Sequence, residues 1–152
     1  MPATIETRRE RADSPVARGL VAAMEAEVDQ VFGAPRMPTS ARPEQLSPPD
    51  GAFAVLYEDG RPVAGGGLKR LGPEVCEVKR MYVEPRARSR GHARRLLVAL
   101  EEAARDLGYA RVRLDSAARQ PHAIALYRSA GYREIPDYNG NPLADYWGEK
   151  VL

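Results

Sequence analysis

The chain has 152 residues, 43% hydrophobic and 29% charged, which suits one folded domain over residues 1–152 and is far from a disordered composition. Its 23 basic and 21 acidic residues leave a net charge of +2, which argues against a general nucleic-acid binder. There is no apolar run near the roughly eighteen residues of a membrane span, residues 1–6 lack the apolar core of a signal peptide, and the one cysteine, Cys76, allows no internal disulfide, so a cytoplasmic protein with no membrane partner is expected.

Residues 4–8 read as an edge strand. Ser14-Pro15 then joins an N-cap residue to a proline at the first helical position. Val16, Leu20, Ala23, Met24, Val28 and Val31 recur at helical spacing to about Phe32, and Gly33 is the expected stop. Five prolines between Ala34 and Pro49 predict a long loop without regular structure. Residues 52–57 and 62–69 form a predicted hairpin, turned at Asp59-Gly60. Gly65-Gly66-Gly67 in its second arm points to a bulge or to close approach by a ligand or backbone.

Gly72-Pro73 turns the chain into a third strand, 75–83, in which Cys76 is expected as a buried, inert thiol. Simple alternation puts residues 77, 79, 81 and 83 on one face of it. A helix over about 91–107 carries Leu96, Leu97, Leu100, Ala103, Ala104 and Leu107 on one side and ends at Gly108. Residues 111–115 alternate like a strand, 121–130 fit a short helix opening at Pro121, and 132–135 return as a strand. The tail 144–152 is expected to close the sheet. In the aromatic and polar stretch from Tyr138 to Trp147, Asn139-Gly140 reads as a simple turn and Trp147 as a core residue; the other option is that 138–142 and 146–147 border a ligand site or an interface.

The passage from Val83 to Leu97 is the most informative. It runs from strand through a basic loop into a helix, with small residues where the helix begins. The first N–H groups of a helix have no partner within it, and its dipole makes that end positive, so an anion is favoured there. Gly91 allows close approach to the backbone, Ala93 keeps the first turn open, and Arg88, Arg90 and Arg94 offset phosphate charge. Between positions 79 and 95, seven basic residues (Lys79, Arg80, Arg86, Arg88, Arg90, Arg94, Arg95) stand against Glu84 alone. The six-residue pattern by itself equally fits a charged loop before an ordinary amphipathic helix.

A second motif separates these readings. Met81 to Pro85 with Arg88-x-x-Gly91-x-Ala93, followed by Ala123-Ile124-x-Leu126-Tyr127-x-x-x-Gly131-Tyr132, resembles the GCN5-related N-acetyltransferase (GNAT) superfamily, over residues 52 to 135. The resemblance implies an α/β (α+β) fold: a central mixed, mostly antiparallel sheet flanked by helices, with a splayed strand pair holding the cofactor. It implies acetyl-CoA as co-substrate, with direct transfer of its acetyl group to an amine acceptor. Backbone near Met81, Tyr82 and Val83 would pair with the pantetheine arm, and Arg88, Ser89, Arg90, Gly91, His92, Ala93 and Arg94 would hold the pyrophosphate. Tyr127 would be the general acid for the leaving thiolate, and Glu77, directly or through water, the base; an ion pair of Glu77 with Lys79 or Arg80 is the alternative.

Gln120 departs from the family, which often has asparagine there. The contact made through that amide, assigned to cofactor binding, therefore runs through a side chain one methylene longer. His92 is expected in a binding or surface role and His122 on the surface, and these with Cys76 offer no metal-ligand spacing. The partners expected are acetyl-CoA and an unidentified amine, with a homodimer left open. The runner-up is a catalytically weak acyl-CoA sensor of the same fold. The acceptor is not readable, because one scaffold serves many acceptors through its flanking loops, here 34–50 and the C-terminal tail.

Overall fold

The computed structural model describes residues 1–33 and 41–152. Among these residues, seven strands and three α-helices follow in the order β1 (Ile5–Glu10), α1 (Pro15–Phe32), β2 (Ala52–Glu58), β3 (Arg61–Arg70), β4 (Val75–Val83), α2 (His92–Asp106), β5 (Arg111–Ser116), α3 (Pro121–Ser129), β6 (Arg133–Glu134) and β7 (Tyr146–Val151). The expected loop over 34–49 falls partly outside the described residues. Within them its prolines do not prevent a 3-10 turn, Pro43–Leu46, because proline at the first position needs no donor there.

Local chemistry accounts for the element ends. Ser14 Oγ accepts from the Ala17 N–H at 3.1 Å and opens α1. Asp59 and Gly60 take φ of 51° and 80°, the paired left-handed conformation that matches the twist of a two-residue hairpin.

The sheet order is β1-β2-β3-β4-β5-β7-β6, antiparallel throughout except for β4 beside β5. Strand β7 therefore lies inside the sheet, between β5 and the two-residue edge strand β6, rather than closing it from outside. β2 is buried on both faces. Ala52, Ala54 and Leu56 join the core under α2, whereas Phe53, Val55 and Tyr57 join the smaller core under α1 with Ala17 and Leu20. Leu96, Leu97, Leu100, Ala103 and Ala104 of α2 are buried against the first of these cores, as the helical spacing predicted.

Where β4 meets β5 the sheet comes apart. Their pairing is confined to Val75↔Arg111, Cys76↔Val112 and Glu77↔Arg113, after which β4 continues along β3 to Ala64↔Val83 and β5 follows β7 to Ser116↔Tyr146. Glu101 of α2 helps tie the diverging halves: its buried carboxylate accepts from the Tyr132 hydroxyl at 2.8 Å and from Lys150 Nζ at 3.0 Å. Burial and the charge of Glu101 push the Tyr132 phenol up.

The expected alternation along β4 fails at one point. The register with β3 shifts between Gly65 and Gly67, and Arg80 takes φ of 63°, so one extra residue bulges out of β4. Cys76 and Val78 face the α2 core before the bulge, and Met81 and Val83 face it afterwards, while Tyr82 turns to the α1 side. Glu77 and Met81 thus do not share a face. Glycine at 66 makes the crossing possible, since a Cβ there would sit 2.9 Å from Met81 Cγ. Cys76 is fully buried and desolvation pushes its thiol up to about 12, which fits the inert role expected of it.

Candidate active site

The divergence of β4 and β5 opens a cleft of about 540 Å³. One wall is β4 from Glu77 to Met81, and the other is the end of β5 with α3, including Asp115, Gln120, Ala123 and Tyr127. Met24, Val28 and Phe32 of α1 close one end, and Asn139, Gly140 and Asn141 of the tail cover another side. Beyond Glu77 the edge of β4 that faces β5 has no partner strand among the described residues, so its backbone groups are open to an extended ligand. Four sequence-predicted residues, Glu77, Met81, Gln120 and Tyr127, meet here.

The basic loop lies at the start of α2. Ser89 at φ 65° and Gly91 at φ 78° curl the backbone in alternating conformations, a shape that gathers successive N–H groups around an anion. Gly91 is the N-cap residue and supplies no side-chain cap, which leaves the first-turn N–H groups for a ligand. Arg88 Nε donates to the Val83 carbonyl at 2.8 Å and its Nη2 to Glu27 at 2.6 Å, and its guanidinium lies 5.7 Å from the Tyr82 ring centre. Arg94 reaches Ser129 Oγ of α3 at 2.5 Å.

His92 is not a surface residue. Its ring is 3% exposed and meets Glu58 Oε2 at 2.8 Å, while Arg90 meets the other oxygen of Glu58 at 2.6 Å. The His92 hydrogen bond and the Arg90 guanidinium hold the Glu58 carboxyl below its usual range. Only the His92 backbone is therefore placed to face an anion at the helix start. His122 is exposed, as expected.

Tyr127 is 7% exposed, its ring set edge-on to Tyr132 at 6.1 Å. Its hydroxyl reaches only the Met81 sulfur among the described residues, at 3.9 Å. Burial, then the charge of Asp115, push the phenol up to about 12, so it keeps its proton through the neutral range.

Glu77 is 2% exposed. Lys79 Nζ is 3.4 Å from its Oε1, the ion pair anticipated from sequence, but the pair does not withdraw it from the cleft. Oε2 accepts from the Tyr138 hydroxyl at 2.6 Å and from Asn139 Nδ2 at 3.1 Å. Arg80, the other candidate partner, turns instead to Glu25 of α1 at 2.9 Å.

The preferred sequence reading of the tail, a simple turn and a core tryptophan, gives way to the other option: residues 139–142 line the cleft, and Tyr138 and Asn139 bond to Glu77. Asn139 is more than a turn residue: the same Nδ2 donates to Asp115 at 2.5 Å. Trp147 is half-buried rather than core, and its indole N–H donates to Asn139 Oδ1 at 2.9 Å. Asp115 was signalled by the alternation of β5, which puts it on the face of Arg113, the register partner of Glu77. Nothing local could have shown that a tail more than sixty positions away returns to Glu77.

The model of the Acetyltransferase (GNAT) family matches residues 20–132. The chain is 39% identical over 95 residues to the uncharacterized N-acetyltransferase YjgM of Escherichia coli (strain K12), covering 60% of this chain and 56%, little more than half, of that one. Among solved structures, an acyl-CoA N-acyltransferase described as putative from Klebsiella pneumoniae superposes with a TM-score of 0.75 at 26% identity, covering 99% of this chain and 97% of the other. The PaiA N-acetyltransferase of Thermoplasma acidophilum, solved in complex with coenzyme A, has the same fold at a TM-score of 0.72 and 17% identity, covering 98% and 99%. The forked sheet, the uncapped helix after a basic loop and the tyrosine facing the fork occur together in a chain whose sequence matches one family from α1 to Tyr132, and this protein belongs to the GNAT acetyltransferase family.

Proposed function

We propose that the protein transfers an acetyl group from acetyl-CoA directly to an amine, with both substrates held in the fork at once. The observation that carries this reading is that Glu77 and Tyr127 line one cleft from opposite walls. The groups present fit the co-substrate: the N–H groups at the start of α2 suit its pyrophosphate, and the open edge of β4 near Met81, Tyr82 and Val83 suits an extended pantetheine arm.

Acetyl-CoA supplies an activated acyl group and a thiolate leaving group. Glu77 takes a proton from the acceptor ammonium, directly or through a water, which frees the nitrogen lone pair. A backbone N–H near Tyr82 or Val83 stabilises the charge that develops on the carbonyl oxygen. As the nitrogen–carbon bond forms and the C–S bond breaks, Tyr127 gives its proton to the departing sulfur and recovers one, through solvent, as the nitrogen sheds its second proton on becoming an amide. The geometry of the Tyr127 hydroxyl supports that role: its one described partner is a thioether at 3.9 Å, so it can turn to a sulfur in the cleft. Gln120 lines the same cleft at the start of α3 and takes the place of the family's amide contact to the co-substrate.

The test is release of free thiol from acetyl-CoA with ethanolamine, putrescine, L-lysine and a short peptide bearing a free α-amine. Turnover of at least one is expected; saturable acetyl-CoA binding with no turnover of any would favour the sensor reading. Arg88→Ala is expected to raise the acetyl-CoA dissociation constant about tenfold, through loss of positive charge beside the loop, as read by calorimetry. An unchanged constant would remove Arg88 from the pyrophosphate site.

A further inference from the structure

Resting on that reading, we infer that Tyr138 and Asn139 are positioning residues, which aim the Glu77 carboxylate at the acceptor nitrogen and act on the reaction through it. Glu77 stands at the last position of β4 that pairs with β5, where the sheet begins to divide. A carboxylate at the edge of an open cleft would ordinarily sample several rotamers. Here the tail supplies what the sheet does not.

The Asn139 side chain uses its full hydrogen-bonding capacity. Its carbonyl oxygen accepts from Trp147 Nε1 at 2.9 Å and from the Asn141 N–H at 3.1 Å. With both lone pairs so engaged, its NH₂ must face the two carboxylates, at 3.1 Å from Glu77 and 2.5 Å from Asp115. The turn is fixed independently: Asp137 Oδ1 accepts from the N–H groups of Asn139 and Gly140 at 3.0 and 2.7 Å. Trp147 sits opposite Asp115 in the β5–β7 register, so the chain of contacts from indole to amide to carboxylate is anchored in the sheet.

Tyr138 adds the shortest bond to Glu77, 2.6 Å, with the Arg113 guanidinium 5.3 Å from its ring centre. Both tail donors converge on Oε2, which leaves Oε1, 3.4 Å from Lys79, as the oxygen whose direction they set. Burial and the Glu77 charge push the Tyr138 phenol up, so it stays a donor through the neutral range. General-base transfer demands reach of the proton within hydrogen-bonding distance, and small misplacement is costly in rate.

The experiment is a double-mutant cycle on thiol release from acetyl-CoA, using whichever amine of the four-member panel turns over fastest. Tyr138→Phe keeps the ring and removes the donor. It should lower kcat about tenfold with the acetyl-CoA KM unchanged within about twofold. In a Glu77→Gln background the same change should cost nothing further, because the group it positions is gone. Trp147→Phe, which loosens Asn139 by one bond, should give a smaller loss of kcat that likewise vanishes in Glu77→Gln. Losses that multiply in the Glu77→Gln background would overturn the inference, as would wild-type kcat in Tyr138→Phe. If Glu77→Gln itself keeps full turnover, the base assignment falls and the positioning role with it. If Glu77→Gln is inactive and Tyr138→Phe is not, only the positioning role falls.

Discussion

Tyr127→Phe should lower kcat about a hundredfold, within the range that a positioned acid contributes, while the acetyl-CoA dissociation constant stays within about twofold. The two effects separate because the ring and the hydroxyl do different things. The ring packs edge-on against Tyr132 at 6.1 Å in the core beneath α3, and phenylalanine preserves that contact. The hydroxyl's described partner is a sulfur at 3.9 Å, so its removal leaves no strong donor or acceptor stranded, and thermal stability should hold or rise slightly. With the phenol pushed up to about 12, Tyr127 retains its proton across the working range and adds no alkaline fall in rate below about pH 10. Rapid-quench measurement of the chemical step is the appropriate readout. Wild-type kcat in Tyr127→Phe would assign the leaving-group proton to another source, whereas loss of acetyl-CoA affinity would make the residue a binding group.

The parts of this site that were legible in the sequence are those whose chemistry is local. An uncapped helix start needs only a left-handed glycine and small neighbours, and residues 88–94 carry both within seven positions. Tyr127 lies in a nine-residue helix beginning at its proline, so motif and geometry coincide. Strand β4 marks the limit. Alternation is a reliable guide only while each residue advances the pleat by one, and the bulge at Arg80 inverts it within four residues of Glu77. The triple glycine signalled a bulge, and the register does shift between Gly65 and Gly67, but not that the extra residue would lie in β4 or that side chains would close on all three glycines. The strap over Glu77 was legible only as one of two options for the tail, and its contact with Glu77 not at all, for a different reason. Its contacts join positions 61 and 62 residues apart, and each residue in it has an ordinary local explanation: Asn139-Gly140 as a turn, Trp147 as core, Asp115 as a strand end. Only the sheet order, with β7 slipped between β5 and β6, brings them together.

Gly51→Ala should be among the most destabilising single substitutions in the chain, and the reason is space rather than backbone freedom. Gly51 stands where the 3-10 turn at 43–46 meets the entry to β2. A Cβ there would overlap the Gln45 carbonyl oxygen and lie 2.6 Å from the carbonyl oxygen of Leu68, both backbone atoms with no rotamer to give way. Relief requires the turn to lift from the sheet, yet Leu46 holds it down, 3% exposed and packed where a Cβ on Gly67 would meet it at 3.0 Å. Overpacking against side chains commonly costs about 1–3 kcal/mol, and against fixed backbone the upper end applies, so a loss of about 3 kcal/mol is expected. At roughly 2–4 °C per kcal/mol for a domain of this size, the melting temperature should drop by about 10 °C. Gly60→Ala is the contrasting case. Gly60 has φ of 80° and open space around its Cβ position, so alanine there incurs only the left-handed penalty of about 1–2 kcal/mol. Thermal unfolding of the two variants side by side decides the matter: a Gly51→Ala protein no less stable than Gly60→Ala would mean that the 43–46 turn yields readily and that its seat on β3 contributes little to the fold.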